Sequence, residues 1–186
     1  MDRLWTPWRY NYVSRADSSE RKGVPEELAA WPGDHNCVFC NLISSVDHAI
    51  STKTPQLDAE KAALILWRGD HNFLCLNRYP YASGHVLIVP YQHLDSLAKL
   101  PAPAAQELIH LAQVVENALR STYTPDGINL GMNLGESAGA GVANHLHLHA
   151  LPRWSGDTNF LTTIAETRVI PEDLHTTWSR LRSALP

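Results

Sequence analysis

HLHLHALPRW, residues 145–154, sets three histidines at two-residue spacing with apolar residues between them. Strict alternation marks a half-buried β-strand, whose side chains point to opposite faces in turn. Leu146, Leu148 and Ala150 then face a core, and His145, His147 and His149 share the other face. Three imidazoles are a poor choice for packing, so that face is expected to do chemistry.

Working outward, the stretch is preceded by GESAGAG (135–141), a glycine-rich loop, and before that by GINLGMNLG, read as a strand. Further upstream, AALILWR (62–68), NFLCLNR (72–78) and HVLIVPY (85–91) are strand candidates. GDH turns between the first two and RYPYASG links the second to the third. Leu108, Leu111, Val115 and Leu119 recur at three-to-four spacing after Pro103 and predict an amphipathic helix. The segment 34–60 carries a Cys-x-x-Cys pair and turn-forming residues throughout, and a short helix is expected after Pro171. Strands grouped around one main helix indicate an α+β fold with an antiparallel sheet rather than alternating βαβ units. Residues 1–33, with scattered aromatics and the polar run SRADSSERKG, read as an N-terminal arm. Residues 34–155 form the core domain, and 156–186 a C-terminal extension.

The 186 residues suffice for one hydrophobic core. A net charge of −4 argues against a nucleic-acid binder, which would present a basic face. No apolar run reaches the ~18 residues of a membrane span. Three cysteines, two of them paired at Cys-x-x-Cys spacing, suit a reducing cytoplasm.

Metal binding is the first chemistry to test on the histidines. His145 and His149 lie roughly 13 Å apart along a strand, too far for both to hold one ion. Cys37 and Cys40 have the spacing of a zinc half-site, His93 is a third candidate ligand, and one strand histidine would complete a closed Cys₂His₂ set. A redox pair lacks its usual βαβ setting, and two reduced thiols without metal are the plain alternative. His48 could replace His93 if the loop folds back. Cys75, inside a strand, reads as core. Nucleophilic catalysis is the second chemistry. A neutral imidazole attacks phosphorus when its other nitrogen keeps a proton held by an acceptor, and neighbouring imidazoles and loop N–H groups can hold phosphoryl oxygens.

HLHLHAL fits the pattern His-φ-His-φ-His-φ-φ, and FLCLNRYPYASGHVLIVPYQH has the Asn-Arg-x-Pro turn and Gly-His-x-φ-φ-φ-Pro strand that accompany it. In these motifs the chain resembles the histidine triad family of nucleotide hydrolases and nucleotidyl transferases, over about residues 35–155. RLWTPWRYNYV and LPRWSGDTNF resemble its bacterial diadenosine tetraphosphate phosphorylase branch. The resemblance implies a five-stranded antiparallel sheet with one main helix, and two protomers joining their sheets in a homodimer or higher homo-oligomer. It implies His147 as the nucleophile, His149 as a phosphate-oxygen ligand assisting proton transfer, and His85 in the same site. Asn77 would hold the ribose, and Asn133 with the Gly139 and Gly141 loop would contact phosphate. His145 would join Cys37, Cys40 and His93 on a structural zinc. Relatives often carry Gln followed by Ser or Thr where this chain has Gly141 and Val142. The expected activity is cleavage of diadenosine polyphosphates at the α-phosphorus, with phosphate as acceptor. The alternatives are a hydrolase of nucleoside phosphoramidates or other adenylates, a nucleotide-binding sensor, and a metal-dependent hydrolase.

Overall fold

The strand candidates become five strands in the computed structural model, which describes residues 22–157 and 172–186. Most of the N-terminal arm (1–21) and the end of the RWSGDTNF loop lie outside the described residues. The strands are β1 (Ile65–Arg68), β2 (Asn72–Leu76), β3 (Val86–Pro90), β4 (Gly127–Gly131) and β5 (Leu148–Arg153). They form one antiparallel sheet in the order β1-β2-β3-β5-β4. Four α-helices accompany them among the described residues: α1 (Val38–Ser51), α2 (Gln56–Ala62), α3 (Ala102–Tyr123) and α4 (Leu174–Ala184). Fold class, strand count and the long helix agree with the sequence expectation. None of these helices is long and apolar enough to cross a membrane.

The period-two pattern divides the interior. Leu74, Leu76, Val86, Ile88, Leu148 and Ala150 face α3, meeting Leu108, Leu111, Val115 and Leu119. Their strand neighbours Phe73, Cys75, Leu87 and Val89 point to the other face and pack with Phe39, Val46 and Ala49 of α1 and Ala59 of α2. Helix α4 closes the first core with Trp178, Leu181 and Leu185, and the Trp178 indole N–H donates to the Ile65 carbonyl at 2.7 Å. Cys75 is core, as expected, and burial pushes its thiol pKa up to about 12.

Two local readings are corrected. Residues 34–60 are not mostly turn: they hold α1 and most of α2. The helical stripe of α1 is interrupted by Asn41 and Ser45, which are buried polar residues rather than surface ones. Asn41 accepts the His35 N–H at 2.7 Å and donates to Asp34 at 2.8 Å, while Ser45 donates to the Leu42 carbonyl at 2.9 Å. The last strand also starts later than its alternation suggests. Pairing with β3 begins at Leu148, and His145–His147 form an irregular lead-in outside the ladder, with a bend at His145.

Glu107 on α3 fixes the β1–β2 turn by accepting from the N–H groups of Asp70 (2.7 Å) and His71 (2.8 Å) and from the Asn72 amide (2.7 Å). Partial burial works against its charge, but these donors hold its pKa below the ordinary carboxylate value. A lowered folded pKa contributes stability above the unfolded carboxylate pKa, and that contribution is lost as pH falls through the folded value. Glu107→Gln should therefore cost about 1–2 kcal/mol at neutral pH, allowing for solvent screening at this partly exposed group. Denaturant melts should show the wild type and the variant converging in acid. A gap that stays constant below the carboxylate range would refute this account of Glu107.

Candidate active site and metal centre

Antiparallel register brings the histidines together. Leu87 of β3 pairs with His149 of β5, and Gly131 of β4 lies opposite His149 on the other side. His85 directly precedes β3, so it reaches the same face: its Nε2 lies 2.9 Å from His149 Nδ1. The rings of His147 and His149 are 4.8 Å apart and near-perpendicular.

Hydrogen-bond partners fix the tautomers. His147 Nδ1 is 2.8 Å from the carbonyl of His145, which can only accept, so Nδ1 carries the proton and Nε2 keeps its lone pair. Burial lowers the pKa of His147, favouring the neutral ring; the hydrogen bond to His145 acts the other way. His85 Nδ1 accepts the Tyr81 N–H at 3.1 Å, so its proton sits on Nε2 and is donated to His149 Nδ1. In the neutral pair His149 then carries its proton on Nε2. Tyr81 also lays its ring almost parallel to that of His149, with centroids 6.1 Å apart.

His145 turns away from this group. Its Nε2–H donates to the Pro90 carbonyl at 2.9 Å, leaving Nδ1 to face Cys37 Sγ at 3.2 Å and Cys40 Sγ at 3.6 Å. His93 Nδ1 lies 3.4 Å from Cys40 Sγ, and all four ligand atoms are within 4.8 Å of one another. In a tetrahedral site with ordinary zinc–sulfur and zinc–nitrogen bonds, sulfur and nitrogen sit about 3.6 Å apart, so the donors are spaced for one ion. Burial and the adjacent Cys37 push the Cys40 thiol up to about 12, and burial lowers His145 to about 4. Two sulfurs and two imidazoles crowded this way fit a cation that would draw off thiol protons.

The remaining candidates lie around the triad. Asn77 leaves β2 with its Oδ1 accepting the Tyr79 N–H at 2.9 Å and its amide nitrogen 3.3 Å from His85 Nδ1. The Asn133 amide reaches the Gly139 carbonyl at only 3.5 Å, and the loop around it is exposed. In that loop the N–H groups of Ala138, Gly139 and Ala140 donate to the carbonyls of Gly135 and Glu136. Those three amides are therefore engaged within the loop. His48 does not join the cluster of Cys37, Cys40, His93 and His145.

Two residues were missed by the sequence reading. Phe39, buried between the two cysteines, places its ring 5.3 Å from His145 and 5.1 Å from His147. Tyr81 acts through its backbone and ring on His85 and His149. Position within the Cys-x-x-Cys pair was the available signal for Phe39; nothing in YPYASGH distinguishes Tyr81.

Comparison with known proteins matches the HIT domain family over residues 58–156. A Mycobacterium tuberculosis protein named AP-4-A phosphorylase is 37% identical over 177 residues, covering 95% of this chain and 80% of the relative. A crystal structure of a zinc-bound histidine triad family protein from Mycobacterium smegmatis superposes with a TM-score of 0.59 at 27% identity, covering 82% of this chain and 94% of that one. A HIT family member from Bacillus subtilis gives a TM-score of 0.52 at 26% identity, covering 82% and 99%.

Proposed function

The chain belongs to the HIT domain family, and on that premise we propose that it splits diadenosine polyphosphates at the α-phosphorus through a nucleotidyl-His147 intermediate, with phosphate as acceptor. The observation that carries this reading is the His147 tautomer. Nδ1–H is tied to the His145 carbonyl and Nε2 is left as a nucleophile beside His149. The relative named AP-4-A phosphorylase supports the substrate class.

In the first half-reaction the Nε2 lone pair attacks the α-phosphorus. A P–N bond forms, the P–O bond to the leaving nucleotide breaks, and its electron pair leaves on that oxygen. His147 becomes cationic, and the carbonyl of His145 stabilises the remaining Nδ1–H. His149 presents Nε2–H to phosphoryl oxygens, held in that tautomer by His85. In the second half a phosphate oxygen attacks, the P–N bond breaks, and its electrons return to Nε2. Asn77 is assigned to the ribose, and Asn133 and Gly141 to the phosphates, while Gly139, whose N–H is donated to the Glu136 carbonyl, shapes the loop. Gly141 and Val142, in place of a Gln with a hydroxyl residue, leave room for an anion on the leaving-group side.

Cys37, Cys40, His93 and His145 are assigned to zinc, supported by their spacing and by the zinc-bound relative. Zinc there would cross-link α1 to the lead-in of β5 and supply no electrophile to the reaction. The same reading takes the chain as a homodimer or higher homo-oligomer joined at the β4 edge, where Leu130 is exposed and, among the described residues, no further strand pairs.

The acceptor is tested by incubating the protein with diadenosine tetraphosphate, with and without inorganic phosphate, and identifying the products by mass. ADP plus ATP is the expected outcome. AMP plus ATP, unchanged by phosphate, would make the protein a hydrolase.

A further inference from the structure

His147 stands one residue before the sheet ladder begins, so the ladder does not hold it. The lead-in is held by other links. The Leu146 N–H donates to the Leu94 carbonyl at 2.6 Å, and His145 Nε2–H to the Pro90 carbonyl at 2.9 Å. Leu94 follows His93, so a metal joining His93 to His145 would close a small ring around those hydrogen bonds. His145 also gives its own carbonyl to His147 Nδ1. On the far side, Cys37 and Cys40 fix the first turn of α1, and Phe39 between them rests against the rings of both His145 and His147. The four ligands thus grip the backbone on either side of the nucleophile.

We propose that the metal centre positions the nucleophile: through the His145 carbonyl it keeps the His147 proton on Nδ1, and through Phe39 it holds the imidazole plane. His145 and Phe39 are accordingly positioning residues for the transfer step. This rests on the reading of His147 as nucleophile and of the four ligands as a zinc site. The physical basis is that a ligating histidine oriented through its second nitrogen transmits its position to whatever else it touches. Releasing the ion frees His145 Nδ1 and the α1 turn together. The lead-in then loses its outer anchor, and the His147 imidazole can rotate or move its proton to Nε2, where it blocks attack.

The test compares zinc-loaded protein, protein stripped by a chelator, and the zinc-loaded Phe39→Leu variant. Circular dichroism checks the fold of each. Long-range ¹H–¹⁵N spectra of histidine-labelled protein report the His147 tautomer, single-turnover quench measures adduct formation, and titration with AMP measures affinity. Stripped protein should lose the Nδ1–H signature of His147 and form adduct about 10- to 100-fold more slowly, with AMP affinity little changed. Phe39→Leu should move the same readouts in the same direction by less. If folded, stripped protein and Phe39→Leu both keep the wild-type tautomer signal and rate, the metal is only a stabiliser and the proposal fails. Should stripping unfold the chain, Phe39→Leu decides alone. A tautomer signal that responds to zinc in a protein with no turnover would overturn the catalytic reading and leave the coupling standing.

Discussion

His147→Ala is expected to bring adduct formation and turnover to background, a loss of roughly a thousandfold or more, while nucleotide still binds. The variant removes the atom that forms the P–N bond, and neither neighbour can take its place. His149 Nδ1 is engaged by His85, and His145 has turned to the cysteines. Truncating a buried ring that touches Phe39 also costs stability, about 1–3 kcal/mol. His147→Asn is therefore the better-matched variant, because its side-chain amide can still donate to the His145 carbonyl. Both should bind AMP with near-wild-type affinity in calorimetry and yield no covalent species by mass spectrometry of acid-quenched or trapped reactions. Turnover at the wild-type rate in His147→Asn would eliminate covalent catalysis by this residue. His149→Ala should retain a slow reaction, since His149 stabilises charge rather than forming the bond.

Metal analysis of purified protein should give about one zinc per chain, and Cys37→Ser should release it. The stability loss is expected to reach about 3 kcal/mol or more, because metal affinity for the folded chain adds directly to folding free energy. Cys37 is nearly fully buried at the N-cap position of α1, where its side chain makes no capping hydrogen bond, so the loss is that of the ion rather than of a cap. Zinc added back should restore the melting temperature of chelated wild type but not of Cys37→Ser. A variant as stable as wild type, together with metal-free wild-type protein, would make the two cysteines ordinary buried thiols.

Much of this arrangement could be read from residue order. Short continuous apolar runs in NFLCLNR and HVLIVPY located β2 and β3, which are buried on both faces, and Leu108, Leu111, Val115 and Leu119 located α3, whose apolar residues face one core at helical period. The spacing argument that His145 and His149 cannot share an ion agrees with the divergence of His145 from the triad. Helix α1 was hidden because its stripe depends on Asn41 and Ser45, whose burial is made tolerable by hydrogen bonds to Asp34, His35 and Leu42 that no local pattern announces. Tautomers were equally invisible. They depend on the carbonyls of Pro90 and His145 and the amide of Tyr81, groups every residue possesses and only the fold can aim. Phe39 was overlooked between two more conspicuous residues.

The partition of the interior by the sheet has a consequence for how this protein can change. Side chains facing α3 and α4 and side chains facing the histidines are separated by a layer of backbone, so substitutions in the two compartments should combine additively. Exchanging Val115 or Leu108 for other aliphatic residues would retune thermal resistance without disturbing the reactive face, whereas a change at Val89 or Phe39 would reach both. An evolving or engineered lineage can therefore acquire tolerance to heat and novelty in substrate choice as separate traits, accumulated in either order.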